Sequence, residues 1–312
     1  MQGISNRYLW EIEQEARVLG RIDLETGNIV KIQLPPVTLP EMNITVELPG
    51  LLSAGPCDIA LGGDGKLWFN DQYNNSVGWI DPISPDGIHE ISLPTPLALP
   101  MSLATGADGN IYITETAANK VAKVDVATHK VDEFPVPTPI SGLIGGTAGQ
   151  DGAHWFVEMA GNKLLSMDYA TNAMQEYPIP TPNSLPFVVR SYEGSIWFTE
   201  SGVNAIGRFD PRSGEFSQVP LPTAASVPIG LARGVDGDLY TDESIGGKIA
   251  RIDPSTMSTI AEYPIPSPQS FPDEIKLGPD GAIWVPELLN GKIARLWVNS
   301  WGADPGFPHA PS

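Results

Sequence analysis

The amino-acid sequence predicts an all-β protein, a seven-bladed β-propeller built from four-stranded antiparallel blades. Three observations support this prediction. One short motif recurs at nearly constant spacing, most copies follow a tight-turn signal, and glycine and proline interrupt the whole chain. With 32 glycines and 31 prolines among 312 residues, the composition disfavours long helices.

The recurring motif contains an aromatic residue and closes on an acidic residue three positions later. Its copies span residues 9–13, 67–71, 111–115, 154–158, 196–200, 239–243 and 283–287. After a first gap of 58 residues, the closing acidic residue returns every 42–44 residues. Repeats of this length that contain several short strands are typical of propeller blades.

A tight-turn signal precedes six of the seven copies. An acidic residue followed by glycine stands four residues before each aromatic residue, at Asp64, Asp108, Asp151, Glu193, Asp236 and Asp280. Such pairs between apolar runs predict hairpins. Two further short strands and a proline-rich linker follow each hairpin, so each repeat predicts four strands. The repeated aromatic residues are expected in the core, because aromatic side chains bury the largest apolar area.

The chain is predicted to be a single propeller domain over residues 1–312, with an insertion at residues 35–54 between the first and second blades. That apolar, proline-rich insertion is either a lid over one face or a surface loop. The first repeat lacks an evident innermost strand. We therefore expect the C-terminal tail after Trp297 to help close the ring.

The composition indicates which classes of binding partner and which cellular location to expect. A formal net charge of −19 repels phosphate backbones and anionic lipid. No apolar stretch is long enough to span a membrane. We therefore expect no nucleic acid and no membrane insertion. Two glycosylation sequons, at Asn43 and Asn74, favour the secretory pathway or secretion, with the cytoplasm as the alternative. A single cysteine, Cys57, excludes an internal disulfide.

The predicted hairpins locate a candidate site. Residues equally far from a turn on its two sides are cross-strand neighbours. We count positions from the acidic residue of each turn. The residue seven positions after it, the plus-seven residue, is the closing carboxylate of the motif. The residue seven positions before it, the minus-seven residue, lies on the innermost strand. The plus-seven residues are Glu13, Asp71, Glu115, Glu158, Glu200, Glu243 and Glu287. The minus-seven residues are Cys57, Met101, Ile144, Ile229 and Asp273, and Phe187 takes the same role in a unit that is one residue shorter.

These positions predict a mostly apolar ring beside an acidic one. We expect the minus-seven side chains, together with Glu115, Glu158, Glu200 and Glu243, to contact small apolar substrates. The alternative for each carboxylate is a structural role, capping backbone N–H groups of a neighbouring blade. Oxygen ligands at repeat spacing are weak evidence for a metal, so we expect neither a metal nor a cofactor.

The last repeat differs because both of its positions are acidic, Asp273 and Glu287. Two adjacent carboxylates do not easily ionise together, so one is expected to hold a proton near neutral pH. We therefore predict Asp273 and Glu287 as the catalytic pair. The alternative is an exposed pair with ordinary pKa values. None of the four histidines occupies either kind of position.

Residues 196–200 (IWFTE), 204–210 (NAIGRFD) and 177–182 (YPIPTP) resemble the repeats of the virginiamycin B lyase family, and the likeness extends over nearly the whole chain. That resemblance implies a propeller that opens a cyclic depsipeptide lactone by elimination. In the family, a minus-seven histidine is the base and a plus-seven glutamate helps to hold Mg²⁺. This chain keeps the glutamates but has no minus-seven histidine, so we expect different chemistry.

The chain also resembles the propeller enzymes of fungal secondary metabolism that guide hetero-Diels–Alder reactions. That resemblance implies joining of a tropolone-derived quinone methide to a terpene alkene such as humulene. An acid such as Asp273 or Glu287 would assist loss of water, and the apolar minus-seven residues would hold the two reactants together. Two alternatives are a metal-assisted lyase or lactonase and a non-catalytic binding propeller that presents its rim to a protein or glycan.

Overall fold

The structure, a computed structural model, describes residues 2–3, 7–13, 16–35, 37–39, 44–46, 55–85 and 87–298. Throughout these residues the regular structure is β-strand, and the prediction of an all-β fold is confirmed. The described part of the chain has no helix long and apolar enough to cross a membrane. Asn43, most of the insertion and the tail from residue 299 lie outside the described residues.

The early strands form two sheets and a small hairpin between them. The first sheet consists of β1 (Gln2–Gly3), β2 (Tyr8–Glu13), β3 (Val18–Asp23) and β4 (Ile29–Gln33). The hairpin pairs β5 (Val37–Leu39) with β6 (Ile44–Val46). The second sheet consists of β7 (Ile59–Leu61), β8 (Leu67–Asp71), β9 (Ser76–Ile80) and β10 (His89–Ser92).

Three further sheets repeat the same order of four antiparallel strands. The third sheet contains β11 (Pro100–Thr105), β12 (Ile111–Glu115), β13 (Lys120–Val124) and β14 (Val131–Pro135). The fourth contains β15 (Leu143–Ala148), β16 (Ala153–Glu158), β17 (Lys163–Asp168) and β18 (Met174–Pro178). The fifth contains β19 (Pro186–Tyr192), β20 (Ser195–Glu200), β21 (Ala205–Asp210) and β22 (Glu215–Pro220).

The last two sheets complete the seven blades of the propeller. The sixth contains β23 (Pro228–Arg233), β24 (Leu239–Glu243), β25 (Lys248–Asp253) and β26 (Ser258–Pro264). The seventh has three strands among the described residues, β27 (Lys276–Leu277), β28 (Ile283–Glu287) and β29 (Lys292–Leu296). In every blade, strands consecutive in sequence are neighbours in the sheet, which confirms the predicted hairpins.

The chain divides into two compact units. The first comprises Met1–Ala148, Gly152–Gly161 and Leu165–Glu176, and the second comprises Gly149–Asp151, Asn162–Leu164 and Tyr177–Ser312. The first unit therefore holds the first three sheets and most of the fourth. The second unit holds the fifth, sixth and seventh sheets, and it contains both predicted catalytic residues.

The first sheet corrects one expectation. Its innermost strand is β1, in which Gln2 pairs with Trp10 and Gly3 pairs with Leu9. The repeat therefore has an innermost strand of its own. Sequence analysis missed it because two residues are too short to show an alternating pattern, which needs at least four residues.

The repeated aromatic residues lie in the core, as predicted. Trp10, Trp68, Tyr112, Trp155 and Tyr240 are at most 1% exposed. The turn acid has a second role that explains its fixed spacing: its carboxylate accepts a hydrogen bond from the aromatic residue four positions later. The donor–acceptor distances are 3.1 Å for Trp68 to Asp64, 3.0 Å for Tyr112 to Asp108, 2.7 Å for Tyr240 to Asp236 and 3.0 Å for Trp284 to Asp280.

A recurring asparagine joins each blade to the linker that follows it. Asn119, with a φ of 56°, accepts a hydrogen bond from the Ser141 amide at 2.8 Å and donates to the Thr138 carbonyl at 2.9 Å. Asn162 makes the same contacts with Ser184 and Thr181. Asparagine tolerates left-handed backbone and offers both a donor and an acceptor. This device fixes where each innermost strand begins.

Candidate functional site

The innermost strands carry β-bulges that change the predicted register. In the third sheet Pro100 pairs with Glu115, but the next pair is Ser102 with Thr114, so Met101 is the extra residue of a bulge. In the seventh sheet the partner of Glu287 is Pro272. The plus-seven carboxylate therefore faces the minus-eight residue. The predicted pairing of minus-seven with plus-seven residues is wrong, because a bulge inserts one residue into a single strand.

Burial separates the two sets of side chains further. Cys57, Met101, Phe187, Ile229 and Asp273 are partly exposed. Six of the seven plus-seven residues are buried, with exposures between 0% and 4%, at Asp71, Glu115, Glu158, Glu200, Glu243 and Glu287, whereas Glu13 is half-buried. The carboxylates therefore do not form an open acidic rim beside the apolar positions. Ile144, at 6% exposed, is buried as well.

The plus-seven carboxyl groups interact with the outer strand of their own blade. Glu115 lies in β12, and burial followed by the charge of Glu133 in β14 raises its pKa to about 8. Glu133 in turn accepts hydrogen bonds from the Lys120 ammonium at 2.7 Å and from the Thr95 hydroxyl at 2.5 Å. At neutral pH Glu115 is thus a neutral acid beside an ionised, paired Glu133.

The sixth sheet repeats this cluster. Burial and then Glu262 raise the pKa of Glu243 to about 7. Glu262 accepts hydrogen bonds from Lys248 at 2.8 Å and from the Thr223 hydroxyl at 2.9 Å. In the fifth sheet the corresponding partner of Glu200 is the amide of Gln218. The recurrence favours a structural role, although the role of these residues toward substrates stays a prediction.

Two minus-seven residues meet in the first unit. The side-chain amide of Gln72, which is 9% exposed, donates to Cys57 Sγ at 2.6 Å and to Met101 Sδ at 2.9 Å. One amide thus brings the thiol of the second sheet and the thioether of the third sheet together. Gln72 immediately follows the plus-seven residue Asp71, and sequence analysis did not single it out.

Two acidic residues meet in the second unit, and one of them was missed from the sequence. Asp242 in β24 is 0% exposed and occupies the plus-six position. It accepts hydrogen bonds from the Gly230 amide and, at 3.0 Å, from the Ser244 hydroxyl. Burial and then the charge of Asp273 raise its pKa well above the ordinary value. Burial and Asp273 thus both oppose ionisation of Asp242, and Asp273 is its ionisable neighbour.

In four blades a polar side chain at the plus-six position accepts a hydrogen bond from a backbone amide of the innermost strand, while the fourth and seventh blades have Val157 and Pro286 there. In three of these four blades the acceptor is a neutral group. Asn70 accepts from the Asp58 amide at 2.8 Å, Thr114 from Ser102 at 2.9 Å and Thr199 from Val188 at 3.0 Å. The sixth blade uses a carboxyl group for this purpose. A comparison of plus-six residues across the repeats would have revealed that exception in the sequence.

Close packing of two blades brings these acids together. A Cβ added to Gly230 would lie 2.5 Å from the Ile275 nitrogen and 2.6 Å from Asp242 Oδ1, so only glycine fits there. The backbone of β23 therefore runs directly against residues 274–275 at the start of the seventh blade. This approach places Asp242 beside Asp273.

Asp273 has the titration properties expected of a proton-transfer group. Its backbone amide donates to the Pro286 carbonyl at 3.2 Å. Burial, and next the charge of Glu274, raise the pKa of its carboxyl to about 6. The predicted partner Glu287 is 4% exposed and accepts a hydrogen bond from Asn290 at 3.0 Å. The acid pair in this structure is thus Asp242 with Asp273, which corrects the predicted pairing of Asp273 with Glu287.

The described histidines have packing roles. His154 is fully buried, stacks on Tyr112 with ring centroids 4.4 Å apart, and has a pKa lowered to about 3 by burial. His89 and His129 stack against Trp79 at 5.2 Å and 4.2 Å. None of these three side chains is placed to act as a base at a minus-seven position.

The plus-seven carboxyl groups do not fit a magnesium site. Within the described ranges no three His, Cys, Asp or Glu side chains converge as metal ligands. Each plus-seven carboxyl group lies in its own sheet, and Glu115 and Glu243 have pKa values raised to about 8 and about 7. Protonated carboxyl groups are poor ligands for a hard cation.

Asn74, the described sequon, lies in the turn after Asp71. Its side-chain amide donates to Asp71 at 3.1 Å. Attachment of a glycan to that nitrogen would have to preserve or replace this contact, and glycosylation of Asn74 stays a prediction.

Three solved structures of lyases are similar to this chain in sequence and fold. Virginiamycin B lyase from Staphylococcus aureus is 35% identical, covers 79% of this chain and 82% of its own, and has a TM-score of 0.73. A catalytically inactive histidine-to-alanine variant of that enzyme with quinupristin is 34% identical, with coverage of 79% and 82% and a TM-score of 0.73. A streptogramin B lyase is 32% identical, with coverage of 84% and 85% and a TM-score of 0.74.

No curated protein sequence matches the chain significantly. The model of the virginiamycin B lyase family matches residues 5–213 and 187–302, which together span most of the chain. With this match, the sequence identity above 30% and the seven-bladed propeller fold, the chain belongs to the virginiamycin B lyase family.

Proposed function

We propose that this protein is a lyase-like enzyme that eliminates a leaving group from a small apolar substrate, with Asp273 as the proton-transfer group. One observation supports this most strongly: Asp273 occupies the minus-seven position of the last blade, and its pKa is raised to about 6 beside the buried Asp242. A group that titrates near the working pH is the most effective general acid or base.

The first candidate reaction is the dehydration that starts a hetero-Diels–Alder addition. In its protonated form Asp273 donates a proton to the departing hydroxyl of a tropolone-type alcohol, and the C–O bond breaks to release water. The resulting carboxylate then accepts the proton of the adjacent ring hydroxyl, which leaves a neutral quinone methide and restores the acid. The quinone methide and an alkene such as humulene then form one C–O and one C–C bond.

Asp242 acts as a positioning residue in this proposal. Its carboxyl group is held by Gly230 and Ser244, and burial and the charge of Asp273 raise its pKa well above the ordinary value. Like charges oppose ionisation, so the protonation of Asp242 is coupled to that of Asp273.

Apolar minus-seven residues support an apolar substrate. Phe187 and Ile229 are the corresponding residues of the fifth and sixth blades in the same unit as Asp273, and both are partly exposed. The first unit presents Cys57 and Met101 at the same repeat positions. Holding two oily reactants in register lowers the barrier of a cycloaddition without a nucleophile.

The second candidate is opening of a cyclic depsipeptide by elimination, which family membership and the 35% identical lyase favour. Here Asp273 would act as the base in place of an imidazole. A carboxylate with a raised pKa is a stronger base than an ordinary one, although its pKa of about 6 limits the reaction to substrates with an acidified C–H bond.

Assays with two substrate sets separate the candidates. The purified chain is incubated with quinupristin, and separately with a hydroxymethyl tropolone plus humulene, and the products are followed by mass spectrometry. Adduct formation with no opening of quinupristin supports the first candidate, and the opposite result supports the second. Added EDTA tests metal dependence in each assay: loss of turnover that Mg²⁺ restores would contradict a reaction driven by Asp273 alone.

The variant Asp273→Asn tests the acid itself. It is expected to lower turnover by about 100-fold or more, the usual contribution of general acid–base catalysis. The matched control is Asp253→Asn, which also removes one carboxyl group from the second unit, at an exposed turn. Equal activity of the two variants, or no product from either substrate set with the wild-type chain, would refute the proposed function.

A further inference from the structure

A basic cavity lies in the second unit, away from the minus-seven positions. Its volume is about 280 Å³, and it lies among the ends of β19 and β23 and the strand β27. Among its lining residues are Arg190, Arg233 and Lys276, while none of the described residues that line it is acidic. Three cations around one small cavity are unexpected in a chain with a net charge of −19 and only 18 basic residues.

Arg190 has unsatisfied hydrogen-bonding capacity. Its Nη1 donates to the Val189 carbonyl at 2.9 Å. Its Nη2 is buried and, within the described residues, has no hydrogen-bond partner. The nearest carboxylate, Glu274, is 3.9 Å away, which is an ion pair without a hydrogen bond. A buried guanidinium donor without an acceptor is costly, so an incoming oxygen at this point would be strongly favoured.

The positive charge of the cavity is only partly balanced. Glu274 is the carboxylate shared by Lys276 at 3.1 Å and Arg190. Arg233 pairs with Glu193, whose side chain is 72% exposed, so solvent screens much of its charge. One partly exposed carboxylate thus serves two cations. The remaining charge is positive and favours an anion.

The rest of the lining suits an organic ligand. Tyr192 also lines the cavity, and burial raises the pKa of its hydroxyl. Leu231 and Leu277 supply apolar surface beside the cations. A cavity of this size admits a single ring or a short chain, at the small end of ligand sites.

We propose that this cavity binds a small organic carboxylate, whose oxygens contact Arg190 and Lys276 and whose apolar part packs against Leu231 and Leu277. Arginine is suited to this task because its planar fork matches a carboxylate with two parallel hydrogen bonds. The cavity lies two or more residues farther along the innermost strands than Phe187, Ile229 and Asp273. It is therefore a second site, distinct from the one that we propose for elimination.

Calorimetric titration of the full chain with benzoate tests this proposal, with benzyl alcohol and inorganic phosphate as parallel ligands. We expect saturable binding of one benzoate per chain, weakened by added salt, and no binding of benzyl alcohol. Arg190→Gln should weaken benzoate binding about tenfold or more, the effect of losing a hydrogen bond to a charged group. Arg212→Gln is the control, since Arg212 is 82% exposed on a turn and its loss changes the net charge equally.

Glu274→Gln should raise the affinity for benzoate, whereas a general loss of folding would lower it. Removal of the internal carboxylate leaves both cations for the ligand, so benzoate should bind several-fold more tightly. Lys276→Gln should weaken binding and stands in for Arg190→Gln if that variant does not fold. The proposal is overturned if the wild-type chain does not bind benzoate, if Arg212→Gln weakens binding as much as Arg190→Gln, or if phosphate binds more tightly than benzoate.

Discussion

The buried carboxyl group of Asp242 lies beside Asp273, whose charge is second only to burial in raising the pKa of Asp242. This relationship makes the stability of the sixth blade depend on pH. An acid with a raised pKa in the folded state binds more protons than in the unfolded state. Its contribution to stability is complete at pH values below its ordinary pKa of 3.8, and it is lost as the pH rises toward the folded-state pKa.

The variant Asp242→Asn should not lose stability in this way as the pH rises. An asparagine amide oxygen can still accept from Gly230 and Ser244, as the equivalent Asn70 does in the second blade. We expect the variant to unfold at a higher urea concentration than the wild type at pH 8, with a gap of up to about 1.4 kcal/mol per pH unit above pH 5.

The reciprocal change Asn70→Asp is the control and should introduce a similar pH dependence into the second blade. Urea unfolding at pH 5, 6.5 and 8 measures both variants. A version of Asp242→Asn that is less stable than wild type at pH 8 would contradict the assignment of a raised pKa to Asp242.

Glu274→Gln should lower the pKa of Asp273. The charge of Glu274 is the second cause of the raised pKa, after burial. Without that charge the pKa should fall below about 6 but stay above the ordinary 3.8, because burial persists. Nuclear magnetic resonance titration of ¹³C-labelled aspartate carboxyl groups measures the shift, with Asp273→Asn identifying the signal.

Glu193→Gln is the matched control for Glu274→Gln, because it removes one carboxylate of the same unit at a side chain that is 72% exposed. It should leave the Asp273 titration unchanged. If both variants shifted the titration equally, a general change in net charge would explain the result better than the local contact.

The architecture could be predicted from the sequence because two independent signals in each repeat, the apolar pattern and the turn residues, predict the same strands. The spacing from Asp108 to Tyr112 predicts a turn and a core residue, and the hydrogen bond between them explains why the spacing is fixed. The site was less predictable, since a bulge at Met101 shifts the register by one residue without any mark in the spacing.

The pairing of Asp242 with Asp273 could not be predicted from the repeat pattern. Asp273 was predicted as a catalytic residue because it is the exceptional minus-seven residue. Its partner Asp242 belongs to the preceding blade, and no periodic pattern relates those two positions. Their contact depends on the close approach of β23 at Gly230 to the segment after Asp273. Such packing between blades is a property of the folded chain.

Glu115→Gln should make the third blade more stable in alkaline solution. The pKa of Glu115 is raised from 4.5 to about 8, by burial first and then by Glu133. Its stabilising effect is therefore complete below about pH 4.5 and is lost as the pH rises through about 8. The unfolding temperature of the glutamine variant should exceed that of the wild type by a margin that grows between about pH 4.5 and about pH 8 and is complete at pH 9.

The control for Glu115→Gln is Glu133→Gln in the same cluster. Glu133 is the ionised partner of Lys120 and Thr95, so this change should destabilise the chain by about 1–3 kcal/mol at neutral pH. Thermal unfolding followed by circular dichroism compares the two variants. If Glu115→Gln destabilised the chain at pH 9, Glu115 would have to be ionised and paired in the folded state.

Asp64→Ala tests the hydrogen bond between the turn acid and the core aromatic residue. Asp64 accepts from the indole nitrogen of Trp68 at 3.1 Å, and Trp68 is 0% exposed. Removal of the acceptor leaves a buried N–H group unpaired, so the free energy of unfolding should fall by about 1–3 kcal/mol. The variant should keep the wild-type content of β-structure.

A double-mutant cycle isolates this contact, since Asp64 also accepts from the Lys66 amide within the turn. Phenylalanine keeps an aromatic ring but has no N–H group, so Asp64→Ala should cost less stability in a Trp68→Phe chain than in the wild type. Urea unfolding of all four proteins gives the coupling energy, for which we expect ~1 kcal/mol. If Asp64→Ala lowered the free energy of unfolding equally in the wild-type and Trp68→Phe chains, the indole would contribute no stability through Asp64. The constant spacing in the repeats would then be explained by the turn alone.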